Sequence, residues 1–485
     1  MELLATAFLV NVSFAQALPP IPGEERFKSM LPADGEASGD GAAEIGFGQI
    51  DEDYFIKVQL RTDFNLGKVG VGLAIPLNLR IIDEDPENND DFYGVIRRED
   101  YDQTFDYLRV IRYLRYGQKR DPVYFRIGEL AAQIGHGTIM SRYVNNLDLN
   151  TYRLGLELDV NTDYGGVETM VGDFGSVFSD KNGSRLVGFR GYVKPVAFSD
   201  PESFWNIFAV GMSWVADLNA PTLIQTADDG SGSFVPVTED GALVAEEDVT
   251  QGIFGIDAEA ELVNNALLSV IPYTDLNFIG GAGWGWHLGV NVTFKVPVIV
   301  NLQFPVRLEY RNFRNNYRPI YFSSFYEVER YDYLAEDTSG VRDLNNPEDA
   351  ARSTPKAEFV RSLSDEGGIN GYFADAALDL VGIAQLGAVY EDYEGGDPNL
   401  AVYLNVPALE FAQFKAFYTK TGITDIDDLA TLDDRSYAVA QAKVAIASPL
   451  FLVARFTRQW QLNTISGEYD SIDNWNTGFE IQFQY

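Results

Sequence analysis

The sequence has no cysteine, only two histidines, and half as many basic as acidic residues. The missing thiols exclude disulfide frameworks and thiolate metal centres. With 36 Lys and Arg against 72 Asp and Glu, the formal charge is −36. A polyanion of this size repels nucleic acid, so no nucleic-acid partner is expected. No apolar run reaches the roughly 18 residues a spanning helix needs. Any membrane crossing must therefore use strands, the other element that satisfies its own backbone groups in lipid.

What is present begins with a short apolar run over residues 3–14, followed by Ala15-Gln16-Ala17. The small-x-small pattern predicts a cleaved signal peptide over residues 1–17, although Met1-Glu2 supplies no basic n-region. Residues 18–42 are rich in Pro, Gly and acids, which predicts a flexible periplasmic segment. Residues 43–485 read as one domain.

The decisive signal is alternation with period two. In residues 54–66, Tyr54, Ile56, Val58, Leu60, Phe64 and Leu66 share one face and Lys57, Gln59, Arg61 and Asp63 the other. Residues 69–81 repeat the pattern with Gly70, Gly72, Asn78 and Arg80 on the polar side. It returns at 152–160 with Arg153, Glu157 and Asp159, and at 254–262 with Asp257, Glu259 and Glu261. Residues 284–295 and 300–311 follow, the latter with Arg307, Glu309 and Arg311 on its polar face. Many of these runs reach the 9–11 residues a tilted strand needs to cross a bilayer, longer than the usual strand of soluble sheets.

Less regular strands are predicted at 104–115, 122–131, 166–174, 184–194, 204–217, 267–279, 371–380, 382–392, 398–407, 409–420, 435–447 and 449–462. Residues 43–50 offer one more. The predicted fold is all-β: a transmembrane antiparallel β-barrel of about 18 strands, within a range of 16–20. Connections alternate short and long in sequence order. The long ones, at 83–103, 132–149, 218–250, 314–370 and 421–434, would share the outer side. Residues 314–370 are long enough to fold inward, with a helical turn or two near 350–363.

The last strand carries Trp475, Phe479, Ile481, Phe483 and Tyr485 on one face, with Asn474, Asn476, Glu480, Gln482 and Gln484 on the other. In this the chain resembles Gram-negative outer-membrane β-barrels as a class, whose terminal strand ends on an aromatic residue. The resemblance implies an outer-membrane location, contact with lipid and lipopolysaccharide, and an assembly signal in Phe479, Ile481, Phe483 and Tyr485 read by the barrel assembly machinery.

The inward faces supply the candidate functional residues: Lys57, Arg61, Arg80, Arg153, Glu157, Asp257, Glu259, Glu261, Arg307, Glu309 and Arg311. In residue type they resemble the opposed basic and acidic walls of general porins, although any wet barrel wall pairs charges. About 18 strands leave a lumen too wide for side chains to fill. The resemblance therefore implies a passive channel for small polar solutes or ions, and the acidic row 257, 259, 261 adds an expected cation preference. Two alternatives stand beside it. One is a surface-binding or structural barrel with a plugged lumen, whose acidic loops engage a partner or cations; the other is a barrel for hydrophobic uptake. An oligomer is compatible with the sequence. No catalytic residue, metal ligand or cofactor is expected. His136 reads as a residue in loop hydrogen bonds, and His287 lies on a polar strand face. The run 83–91 is dense in Ca²⁺-type oxygen ligands but lacks the spacing of a calcium loop, so it reads as solvated acid.

Overall fold

A computed structural model describes residues 38–50, 53–82, 92–93, 96–97, 106–119, 121–147, 152–178, 183–228, 234–239, 242–280, 283–296, 302–333, 353–365, 367–380, 383–407, 411–433, 435–462 and 469–484. The predicted signal peptide, the acidic run 83–91 and Tyr485 lie outside these residues.

Apart from three two-residue pieces, the main sheet consists of twenty antiparallel strands. They are β1 (Ser38–Ile50), β2 (Asp53–Leu66), β3 (Val69–Ile82), β4 (Ile111–Tyr116), β5 (Val123–Gly128), β6 (Gly155–Thr162) and β7 (Gly165–Val171). Then come β8 (Leu186–Val193), β9 (Phe208–Ile224), β10 (Ala245–Ala260), β11 (Leu268–Ile279), β12 (Trp284–Val296) and β13 (Leu302–Phe313). The last seven are β14 (Ile369–Leu380), β15 (Ala384–Tyr393), β16 (Asn399–Val406), β17 (Ala412–Lys420), β18 (Ser436–Ala447), β19 (Leu450–Leu462) and β20 (Tyr469–Gln484). Each pairs with the next, and β20 pairs back onto β1 from Asp40↔Gln484 to Gln49↔Trp475, closing the barrel.

The count is the upper end of the expected 16–20. Nineteen strands fall on the other expected runs, and the twentieth is β1, which starts at Ser38, so the expected boundary at residue 43 falls inside it. Gly and Ala make its alternation faint, but it fills the gap between β2 and β20, where backbone pairing decides. The expected strand over 104–115 is also corrected: residues 106–110 form a 3₁₀ turn, and only Ile111–Tyr116 pairs. Ser38 lies opposite Asn65, beside the turn at Gly67, so β1 starts and β20 ends at the end of the barrel that carries the short turns. The long connections 83–110, 129–154, 225–244, 314–368 and 421–435 all leave from the opposite end.

The wall is inverted relative to a water-soluble protein. On β13, Leu308 is 50% exposed while its neighbour Glu309 is 4% exposed. The same contrast separates Leu60 from Gln59, Leu386 from Gln385 and Phe479 from Glu480. Period two puts successive side chains on opposite faces, so apolar groups point out and charged groups point in. Inward tyrosines fill the space beside opposed glycines. Tyr273 on β11 faces Gly289 on β12, and Tyr403 on β16 faces Gly387 on β15. A Cβ at Gly289 or Gly387 would come within 2.3 or 2.2 Å of the tyrosine ring.

Candidate functional site

Two of the long connections turn into the lumen instead of away from it. In the first, residues 129–147 leave β5 and bury Leu130, Ile134, Ile139, Met140, Tyr143 and Leu147. The second, beyond β13, buries Tyr317, Tyr321, Phe322, Phe325, Tyr326 and Val328. The two meet inside the barrel. Met140 and Phe322 form a parallel bridge, and the backbone N–H of Ile320 donates to the Thr138 carbonyl at 2.9 Å. A short helix, Lys356–Ser362, returns the second connection with Ala357, Phe359 and Val360 buried. Around this seam lie two apolar clusters, one joining Phe325 and Val328 to Phe373, Tyr403 and Trp460. The other joins Ile139, Met140, Phe322 and Tyr326 to Val215, Ile253 and Ile279 of the wall.

Charged wall residues hold the inserted chain. Glu327 accepts from Ser184 at 2.8 Å and from the Tyr143 hydroxyl, and it pairs with Arg153 at 3.1 Å. Asp217 on β9 accepts from Tyr326 at 2.8 Å and from Arg330 at 2.9 Å. Lys356 pairs with Glu329. Burial holds the Lys356 ammonium below the usual lysine range, although Glu329 pulls the other way.

His136 ties the inserted segment to two wall strands. Its Nδ1 lies 2.7 Å from Asp275 Oδ1 on β11, and its Nε2 lies 2.8 Å from Glu259 Oε2 on β10. Its ring stacks on Tyr273 with centroids 4.1 Å apart. Thr138 donates to Asp275 at 2.7 Å, and Asn277 donates to Thr138 at 3.1 Å. Beside them, Arg190 on β8 grips Asp257 through two nitrogens, at 3.1 and 2.7 Å, and reaches Glu168 at 2.9 Å. Burial disfavours the imidazolium, but Asp275 and Glu259 outweigh it and raise His136 to about 9. The histidine is thus charged at neutral pH. Ile134, His136, Thr138, Ile139, Ser213, Asp257, Asp275 and Asn277 line a small cavity at this point.

A second network continues along the same wall, joined to the first by Tyr273, which stacks on His136 and accepts from Arg307 at 2.7 Å. Glu309 lies between Arg307 and Arg311, with Arg311 Nε 2.6 Å away. Both guanidiniums sit over Phe373, at 4.5 and 4.4 Å from its centroid. Glu391 on β15 extends the chain of charges to Arg142 of the inserted loop at 3.1 Å. His287 reaches Tyr317 at 3.3 Å.

The structure gathers most of the sequence candidates on the inner face without leaving them bare. Lys57 donates to the Gln49 carbonyl at 3.3 Å, Arg61 lies 3.8 Å from Glu480, and Arg80 pairs with Asp53 at 3.3 Å. Glu157 pairs with Lys119 at 2.8 Å. Arg153 stands just before β6 and is sealed by the inserted chain. The expectation of an open acidic row is corrected. Asp257 is engaged by Arg190 and Glu259 by His136, while Glu261 lies past the end of β10 and accepts from Asn264. Sequence reasoning missed Arg190, Asp217, Asp275 and Glu327. The first three sit on strands, where alternation had the signal to find them; Glu327 sits on a one-turn helix in a connection. At the C-terminal strand, Phe479 points outward and is exposed, and Ile481 is half-buried. Phe483 belongs to β20 by its backbone.

No protein-family model matches the chain, and no curated protein matches it. Among solved structures, it aligns with OccAB3 of Acinetobacter baumannii at 11% identity, covering 93% of this chain and 100% of that one, with a TM-score of 0.32. OprD of Pseudomonas aeruginosa aligns at 10% identity over 94% and 98% of the two chains, with a TM-score of 0.31. A ferric enterobactin receptor of the same organism, solved with enterobactin, aligns at 9% identity over 93% and 82%, with a TM-score of 0.34. At these values nothing passes from those proteins to this chain; its barrel rests on its own strand pairing.

Proposed function

We propose that the chain is an outer-membrane channel of a Gram-negative bacterium, passing small polar solutes or ions through a lumen narrowed by two inserted segments. One observation carries this reading: the closed barrel exposes its apolar face and buries its charged one, as Leu308 and Glu309 show. Exposed leucines are unfavourable in water and become favourable only against lipid, at about 25 cal/mol per Å² of apolar area. An even-numbered, closed antiparallel sheet with a polar interior is the architecture that satisfies this in a bilayer. Lipid and lipopolysaccharide are the surrounding partners, and the terminal strand supplies the signal for the assembly machinery. No enzymatic step belongs to this reading, and the pore-lining role falls to Lys57, Arg61, Arg80, Glu157, Arg307, Glu309 and Arg311.

A second reading has its own observation. The seam between Met140 and Phe322 joins the two inserted segments, and two apolar clusters pack around it. This favours a plugged barrel whose outer loops bind a partner. Single-channel recording in a planar bilayer separates the two. Discrete conductance steps from correctly inserted protein support the channel, and electrically silent, heat-modifiable barrels support the plugged form.

A further inference from the structure

We propose that His136, Asp257 and Asp275 form a binding site for a first-row divalent cation of the zinc or manganese class, tying the inserted segment 129–147 to β10 and β11. One ligand atom from each of the three lies within 4.8 Å of the others. Imidazole with carboxylates is a donor set that suits these ions. A second feature points into the same cavity. Ser213 on β9 lines it, is 8% exposed, and its hydroxyl makes no hydrogen bond among the described residues. That oxygen is placed as a further ligand or as the anchor of a metal-bound water.

The surroundings have the form of an outer coordination layer. Arg190 fixes both oxygens of Asp257, and Thr138 holds Asp275. Each carboxylate oxygen keeps a lone pair beyond these bonds. Glu259 at Nε2 fixes the imidazole orientation, the carboxylate–histidine arrangement that supports metal ligands. The ion would enter between His136 Nδ1 and Asp275 Oδ1. Their 2.7 Å separation widens to about 3.0–3.4 Å to admit metal–ligand bonds of roughly 2.1 Å at octahedral or tetrahedral angles. The Nδ1 proton leaves to solvent as the metal binds, and Nε2 keeps its proton and donates it to the Glu259 carboxylate. Charge also favours binding. Asp257, Asp275, Glu259 and Glu168 gather four carboxylates around Arg190 and His136, and a divalent cation offsets part of that negative charge.

The test is calorimetric titration of ZnCl₂ into the detergent-solubilised full barrel, followed by zinc K-edge absorption spectroscopy. The expected result is one saturable site weakened at least tenfold by Asp257→Asn or Asp275→Asn. Its spectrum should contain a single imidazole nitrogen at about 2.0–2.1 Å with oxygen donors. Heat-modifiability of each variant checks folding, and the spectrum of the unaltered protein decides even if both variants misfold. Absence of saturable binding, binding unchanged in folded variants, or a spectrum without imidazole would overturn the proposal. None of these readouts depends on conductance.

Discussion

His136 Nδ1, on a segment that has entered the barrel, lies 2.7 Å from Asp275 Oδ1 on the wall strand β11. The contact is buried, and Glu259 and Thr138 reinforce it from two sides. Breaking one partner of such a buried pair costs about 3–5 kcal/mol, because the other charge is left without compensation. Asp275→Asn is therefore expected to loosen the seating of residues 129–147 without opening the wall ladder. In the channel reading, its single-channel conductance should rise, with more frequent gating. Limited proteolysis should cut within 129–147 faster than in the unaltered barrel. Unchanged conductance and cleavage would mean that the seam with Phe322 alone holds the segment.

The outward face makes a prediction of a different kind. Val290 is the middle residue of β12, and Leu308 opposite it on β13 is half-exposed. Val290→Arg should destabilise the inserted barrel by about 2–4 kcal/mol, the cost of arginine near a bilayer midplane. Lys295→Arg, on the inner face of the same strand, should cost little. Urea unfolding in lipid vesicles measures both.

The glycine–tyrosine contacts can be tested by a single methyl. A Cβ at Gly387 would fall 2.2 Å from Tyr403 Cζ, so Gly387→Ala must displace the ring. Overpacking of this sort costs typically about 1–3 kcal/mol. The double variant Gly387→Ala with Tyr403→Leu should recover part of that loss in thermal unfolding.

The outer loop over 421–435 should respond to acid. Burial works against the Asp433 carboxylate, but Arg435 at 2.8 Å and Lys420 at 3.1 Å outweigh it and hold Asp433 below the usual aspartate range. A depressed carboxyl contributes stability above its unfolded pKa of about 3.9 and loses it as pH falls through the lower folded value. Hydrogen exchange in this loop should therefore be flat from pH 7 to about 4 once corrected for intrinsic rates, and accelerate below. Asp433→Asn should remove the acid-dependent step.

Alternation alone fixed most of the wall. Leu154, Leu156, Leu158 and Val160, or Trp286, Leu288 and Val290, state their face locally, because a strand's side-chain period is two whatever it pairs with. The inward charges and the outward aromatic of β20 follow from that. What the sequence could not state was the content of the lumen. Residues 129–147 and 314–333 carry no repeating period, and their burial comes from contacts between segments some 180 residues apart, such as Met140 with Phe322. Nor does any local pattern pair His136 with Asp275, Arg190 with Asp257, or Arg153 with Glu327. The strand count was decided in the same way. The faint alternation of β1 becomes a strand because closure leaves β2 and β20 each with an unpaired edge, and an unpaired backbone edge in a bilayer costs several kcal/mol per group. Faces are a local property of the chain, whereas the closure of the ring and the filling of its interior belong to the tertiary structure.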